Sequence, residues 1–310
     1  MVAVTSNNQS SNAPSVPAPA VQALELPAID GVPLAVRYFA PHGSPGAARG
    51  AALIVPAMGV AQSFYAGFAA WLAELGLHVM TFDFRGSGLS RRGSLRAVDV
   101  DVIGWGRLDA TAVLRALEDR APDLPINWIG HSLGAQLIPF VPDHRALAKI
   151  ITVAAGSGYW RDNTRGLRRK VLLMWYGAVP LLTPLFGYFP GKRLRMVGDL
   201  PAGVIRQWRR WCLDPEYAVG AEGPAVRELF ARVTTPITAV SFTDDEMMSA
   251  RSTASLHSYY TRAPQIARRL APSELGLERI GHFGGFRTAM RGPLWEAVIR
   301  PELALAPRDR

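Results

Sequence analysis

The chain has one cysteine, Cys212, in 310 residues. That excludes an intrachain disulfide and any zinc site built on a thiolate cluster. Cys212 is expected to be a buried apolar residue. There is no internal repeat. There is no Cys/His zinc pattern, no RNA-binding signature and no basic heptad array, so a nucleic-acid partner is not expected despite a formal net charge of +9. A phosphate loop is missing too: Gly86-Ser87-Gly88 is too short and too loosely placed for a dinucleotide fingerprint. No cluster of metal ligands stands out, and neither a metal nor a cofactor is expected. The first 20 residues are rich in Ser, Asn, Pro and Ala but lack the basic start and apolar run of a signal peptide. They are expected to form a disordered leader, and the default location is cytoplasmic.

What is present is a large apolar share, 49% of residues, enough for one sizeable α/β domain with an insertion. Alternating apolar and polar positions flank Asp30-Gly31 over residues 21–40, which predicts a hairpin at a sheet edge. Short continuous apolar runs at 51–57, 126–129, 149–156 and 237–242 suit buried strands, and further strands are expected at 78–84 and 266–270. Helical spacing falls between them at 63–75, 102–120, 250–260 and 294–299. This rhythm predicts an α/β fold: a mostly parallel sheet with helices on both faces. It breaks at 157–232. The expected division is therefore a leader (1–20), a first core part (21–156), a cap insertion (157–232) and a second core part (233–310).

The organising stretch is Gly130-His131-Ser132-Leu133-Gly134. A strand-like run leads in and a helix-like run, residues 135–140, leads out. That is the setting of a nucleophile elbow, in which a sharp turn lifts a serine hydroxyl out of the sheet. Gly130 and Gly134 stand where a side chain would collide with the neighbouring strand or helix. A plain Gly/Ser turn is the alternative.

A serine hydroxyl needs a base, and the base needs a partner to fix its tautomer. Among six histidines, His282 is best placed, in Gly281-His282-Phe283-Gly284-Gly285 after the last strand. His131 adjoins the serine, but the turn points it away. His42, His78, His144 and His257 are expected at the surface or in the core. The acid should follow the strand at 237–242, which runs into Thr243-Asp244-Asp245-Glu246. Asp245 is the first choice, with Asp244 capping the following turn. The two roles can be exchanged, and Glu246 is the third choice. The oxyanion formed by attack needs backbone donors: the amide of Leu133, and one after the 51–57 strand, Met58 first and Gly59 next.

With these residues in place, residues 25–300 resemble an α/β-hydrolase, whose chain order is serine, acid, histidine. Asp83-Phe84-Arg85-Gly86-Ser87-Gly88 resembles a turn common in that superfamily, where the arginine and glycines are structural. More narrowly, Phe189-Pro190-Gly191-Lys192-Arg193, Gln207-Trp208, Trp211, Gly281-His282-Phe283 and Phe286-Arg287 are similar to bacterial α/β hydrolases grouped with the serine aminopeptidase and monoglyceride lipase branch. One departure is Pro56-Ala57, where many such enzymes carry His-Gly. The resemblance implies a serine hydrolase acting on a carboxylic ester through an acyl-enzyme on Ser132. Amide, thioester or carbon–carbon cleavage by the same triad remains an alternative, as does a non-catalytic binding protein of the same fold. Dehalogenase and epoxide hydrolase chemistry is disfavoured, because those relatives use an aspartate at the elbow.

The basic charge is concentrated. Residues 161–210 hold eleven Lys and Arg against two Asp, an excess equal to the net charge of the whole chain. Between the basic clusters, residues 171–190 carry no charge. A membrane-spanning helix would be broken there by Gly177, Pro180, Pro184 and Gly187. Short cap helices packed on the core are the simplest expectation. Compatible with them is an apolar face lining an acyl or aromatic pocket, with basic flanks meeting an anionic substrate group or a membrane surface. The expected partner is a small-molecule substrate.

Overall fold

The computed structural model describes residues 20–43, 46–194, 196 and 198–307. The expected leader lies outside the described residues apart from Ala20. Asp30-Gly31 turns the chain as anticipated: β1 (Val21–Pro27) pairs antiparallel with β2 (Pro33–Phe39). Then follow β3 (Gly50–Val55), β4 (Leu77–Phe82), β5 (Ile126–His131) and β6 (Leu147–Val153). Two short strands, β7 (Tyr188–Pro190) and β8 (Asp199–Pro201), pair only with each other, and β9 (Ile237–Phe242) and β10 (Gln265–Leu270) complete the main sheet. Its order is β1-β2-β4-β3-β5-β6-β9-β10. β2 runs antiparallel to β4, and every later pairing in the sheet is parallel. This is the predicted α/β architecture.

The central strands are buried on both faces, which is why they read as unbroken apolar runs. In β3, Ala51, Leu53 and Val55 face one core while Ala52 and Ile54 face the other. Helices cover both faces, including Ala66–Glu74 and Arg291–Ile299 on one side and residues 102–120 on the other. The predicted 102–120 helix is continuous but widens into an underwound π-helical stretch at Trp105–Ala110. β10, at the edge, exposes Arg268 and Arg269, a charged edge that discourages pairing with another sheet.

Arg85 of the glycine-rich turn is structural, as the resemblance implied. Its Nε and backbone N–H donate to Asp109 at 2.7 and 2.8 Å, and its guanidinium grips Asp30 of the hairpin turn at 2.6 and 2.7 Å. Cys212 is buried, as expected.

Between β6 and β9 the chain adds helices at Arg165–Leu173, Val179–Phe186, Ala202–Leu213 and Pro224–Ala231 and the β7–β8 ribbon. Among the described residues no helix is long and apolar enough to cross a membrane. A π-helical turn joins the first two helices, and Gly187, at φ +71°, ends the second. Against expectation, Gly177, Pro180 and Pro184 do not break the helical segment; it runs to Phe186, Gly187 ends it, and residues 188–190 enter β7.

Candidate active site

β5 delivers the elbow. Ser132 has φ +51°, the strained left-handed conformation that a sharp strand-to-helix turn imposes on its serine. The two glycines are required by close approach. A Cβ on Gly134 would lie 2.2 Å from the Val55 carbonyl oxygen, and one on Gly130 2.5 Å from Cα of Ala135. Both obstacles are backbone, so neither can move aside. The exit from the elbow differs from the prediction. Residues 135–140 do not form a helix but two 3-10 turns, Ser132–Ala135 and Ile138–Phe140. Pro139 supplies the reason: it lacks the N–H an α-helix would need there.

Asp245 lies just beyond β9 and is buried. Its Oδ2 and Oδ1 are 2.9 and 3.1 Å from Nδ1 of His282, which is buried as well. A carboxylate only accepts, so Nδ1 carries the proton, and in the neutral ring Nε2 keeps its lone pair. The three consecutive acids divide the work of holding the histidine loop. Asp244 Oδ2 accepts from the N–H groups of Ile280 and Gly281 at 2.8 and 3.0 Å. Glu246 Oε2 accepts from the N–H of His282 at 3.0 Å. This corrects the expectation that Asp244 caps the turn after β9. Asp245 itself does so, accepting from the N–H groups of Met247 and Met248 at 2.7 and 2.8 Å. Asp244 reaches instead to the backbone of the histidine loop, the same loop whose ring Asp245 holds.

Ser132, His282, Leu133 and Met58 line one small pocket of about 40 Å³. The N–H of Ala57 is already taken by the Tyr65 hydroxyl at 2.9 Å, and Met58, the next residue, lines the pocket beside it. Next to this pocket is an apolar cavity of about 210 Å³, lined by residues of the insertion such as Val171, Met174 and Trp175. Gly158, Trp208, Met247 and Met248 belong to both. Sequence reasoning missed Gln136 and Tyr217. The Tyr217 hydroxyl donates to Gln136 Oε1 at 2.8 Å, and both side chains form part of the wall of the small pocket. No local motif marks either of them.

His131 turns away from the serine, as expected, but it is not an idle core residue. It is fully buried, with Nδ1 2.8 Å from the Tyr65 hydroxyl and Nε2 3.0 Å from the His282 carbonyl. Of the other histidines, His144 and His257 are buried, and His78 bonds Tyr38 at 2.8 Å. All three are away from the pocket.

The family model described as serine aminopeptidase, S33, matches residues 46–192, which include the elbow. No curated protein matches the chain by sequence. Solved structures do match by fold. A soluble variant of the monoglyceride lipase of Saccharomyces cerevisiae, in complex with a substrate analogue, aligns with TM-score 0.59 at 16% identity over 83% of this chain and 87% of that one. An esterase of Pyrococcus furiosus gives TM-score 0.59 at 13% identity over 92% and 90%. An α/β serine hydrolase without a lid from Xanthomonas campestris gives TM-score 0.52 at 16% identity over 91% and 95%. The fold is that of an α/β-hydrolase. Within that class the chain is similar to the serine aminopeptidase and monoglyceride lipase branch.

Proposed function

We propose that the chain cleaves a carboxylic ester through an acyl-enzyme on Ser132, with His282 as base and Asp245 as its orienting acid. The observation that supports this best is the Asp245–His282 pair, at 2.9 Å and buried, whose free Nε2 belongs to a residue lining the same pocket as Ser132. In this mechanism Ser132 Oγ attacks the ester carbonyl and passes its proton to Nε2. The Leu133 and Met58 amides receive the charge that develops on the carbonyl oxygen. His282 then returns the proton to the leaving alcohol, and the cycle repeats with water on the acyl-enzyme. Asp245 stabilises the imidazolium without taking the proton.

The insertion, residues 157–232, acts as a cap. Its apolar cavity of about 210 Å³ would receive the acyl or aromatic part of the substrate. The test is a p-nitrophenyl ester series from acetyl to dodecanoyl, with Ser132→Ala as control. Turnover should vanish in the variant, and medium chains should outrun acetyl. Equal rates across chain lengths would rule out the acyl cavity. Fluorophosphonate labelling of Ser132 without ester turnover would move the substrate to amides, thioesters or carbon–carbon bonds. No labelling and no turnover would favour a binding protein.

A further inference from the structure

We infer that Tyr65 and His131 are positioning residues, a buried pair that ties the oxyanion loop to the backbone of His282. The inference rests on Ser132 and His282 reacting as proposed above. Its content comes from hydrogen-bond directions that the geometry leaves no freedom to reverse. His131 Nε2 lies 3.0 Å from the His282 carbonyl oxygen. A carbonyl only accepts, so Nε2 carries the proton. The ring is neutral, since burial holds His131 far below its ordinary value, at about 3. Nδ1 must then accept, and the Tyr65 hydroxyl, 2.8 Å away, must donate to it. That leaves the hydroxyl oxygen free to accept from the N–H of Ala57 at 2.9 Å.

The network has one direction throughout: Ala57 N–H to Tyr65 oxygen, Tyr65 O–H to His131 Nδ1, His131 Nε2–H to the His282 carbonyl. Each end is informative. Ala57 precedes Met58, the proposed oxyanion donor, and His282 is the proposed base. His131 itself precedes the nucleophile. Three chain segments far apart in sequence are therefore fixed to one another through two side chains.

Packing alone would not call for a histidine. The ring lies among Phe64, Tyr65, Phe283 and Phe286, with centroid distances between 4.9 and 6.5 Å. Phenylalanine would suit such an aromatic nest. The polar atoms have another consequence: they set where the His282 backbone sits relative to the elbow and to the Met58 amide. A small displacement of reacting groups costs rate far more than it costs affinity.

The test compares His131→Phe, His131→Gln and Tyr65→Phe with the wild type in fluorophosphonate labelling and in steady-state hydrolysis of a p-nitrophenyl ester. His131→Phe keeps the ring and removes both bonds; its kcat should fall about tenfold or more, with KM unchanged. His131→Gln restores an amide donor toward the His282 carbonyl and should recover most of that loss. Tyr65→Phe removes one oxygen and should lower kcat in the same direction. Combined with His131→Phe, it should cost less than the product of the two single losses, because the pair acts as a unit. A wild-type kcat in either Tyr65→Phe or His131→Phe overturns the inference. So does a glutamine variant no better than phenylalanine. A wild type that neither labels nor turns over ester instead overturns the reading of Ser132 on which the inference depends.

Discussion

Residue by residue, the buried histidine at the elbow has a second measurable effect. Its folded-state value of about 3 is below the ordinary 6.5, so the unfolded chain binds the proton more tightly. Stability from this group is present in full above pH 6.5 and is lost as pH falls toward 3. At pH 5 the loss attributable to His131 is about 2 kcal/mol. Burial lowers His257, His78 and His144 as well, so these add losses of their own. Denaturant unfolding at pH 7.5 and pH 5.0 should show a clear drop in the wild type. The drop should be smaller by about that amount in His131→Phe. The proposed nucleophile, base and acid each sit in a local pattern of the sequence: a Gly-x-Ser-x-Gly turn, a glycine-flanked histidine, acids just after an apolar strand. That Asp245 also caps the turn, while Asp244 holds the loop backbone, is not readable. All three acids reach the histidine loop, and which takes the ring and which the backbone N–H groups depends on the conformation of the turn, which no spacing rule gives. The tie from His131 to His282 spans 151 residues and involves a backbone carbonyl, which no side-chain pattern can announce.

At the scale of elements, the sheet was legible because period and length suffice for strands buried on both faces. The exit from the elbow was not. Apolar residues at 137, 138, 140 and 141 look helical, yet Pro139 and the close packing of Gly134 on β3 hold the chain in tight turns. Within the insertion, the helix Ala202–Leu213 carries Trp208 between the two cavities. Its ring meets Trp175 edge-on, with centroids 5.0 Å apart. Replacing it by alanine should join the pockets of about 40 and 210 Å³. The expected outcome is a chain-length optimum moved to longer esters. The dodecanoyl to butanoyl ratio of kcat/KM should rise about tenfold. An unchanged ratio would show that the acyl group does not pass Trp208.

For the whole molecule, the uneven charge found in the sequence acquires a location. The helical segment from Arg165 to Phe186 exposes Leu173, Tyr176, Leu181 and Leu185 at 76, 63, 70 and 71%. Their spacing of three to five residues lines them along one side of the helix. Arg165, Arg168, Arg169 and Lys170 occupy its first turns. An apolar stripe with a basic end suits an anionic lipid surface. Sedimentation with vesicles of phosphatidylcholine plus phosphatidylserine should bring the protein down at low salt, and pure phosphatidylcholine should do so much less. Leu181→Glu combined with Leu185→Glu should abolish the difference. Equal recovery with both vesicle types would exclude this attraction.

The three adjacent carboxylates after β9 also bear on when the proposed site comes into being. They hold residues 280–282, which leave the ribosome well after Ser132. A nascent chain therefore carries its nucleophile for more than a hundred residues without a base beside it. If Ser132 reacts as proposed, it has no base until the loop of residues 280–282 docks onto these carboxylates.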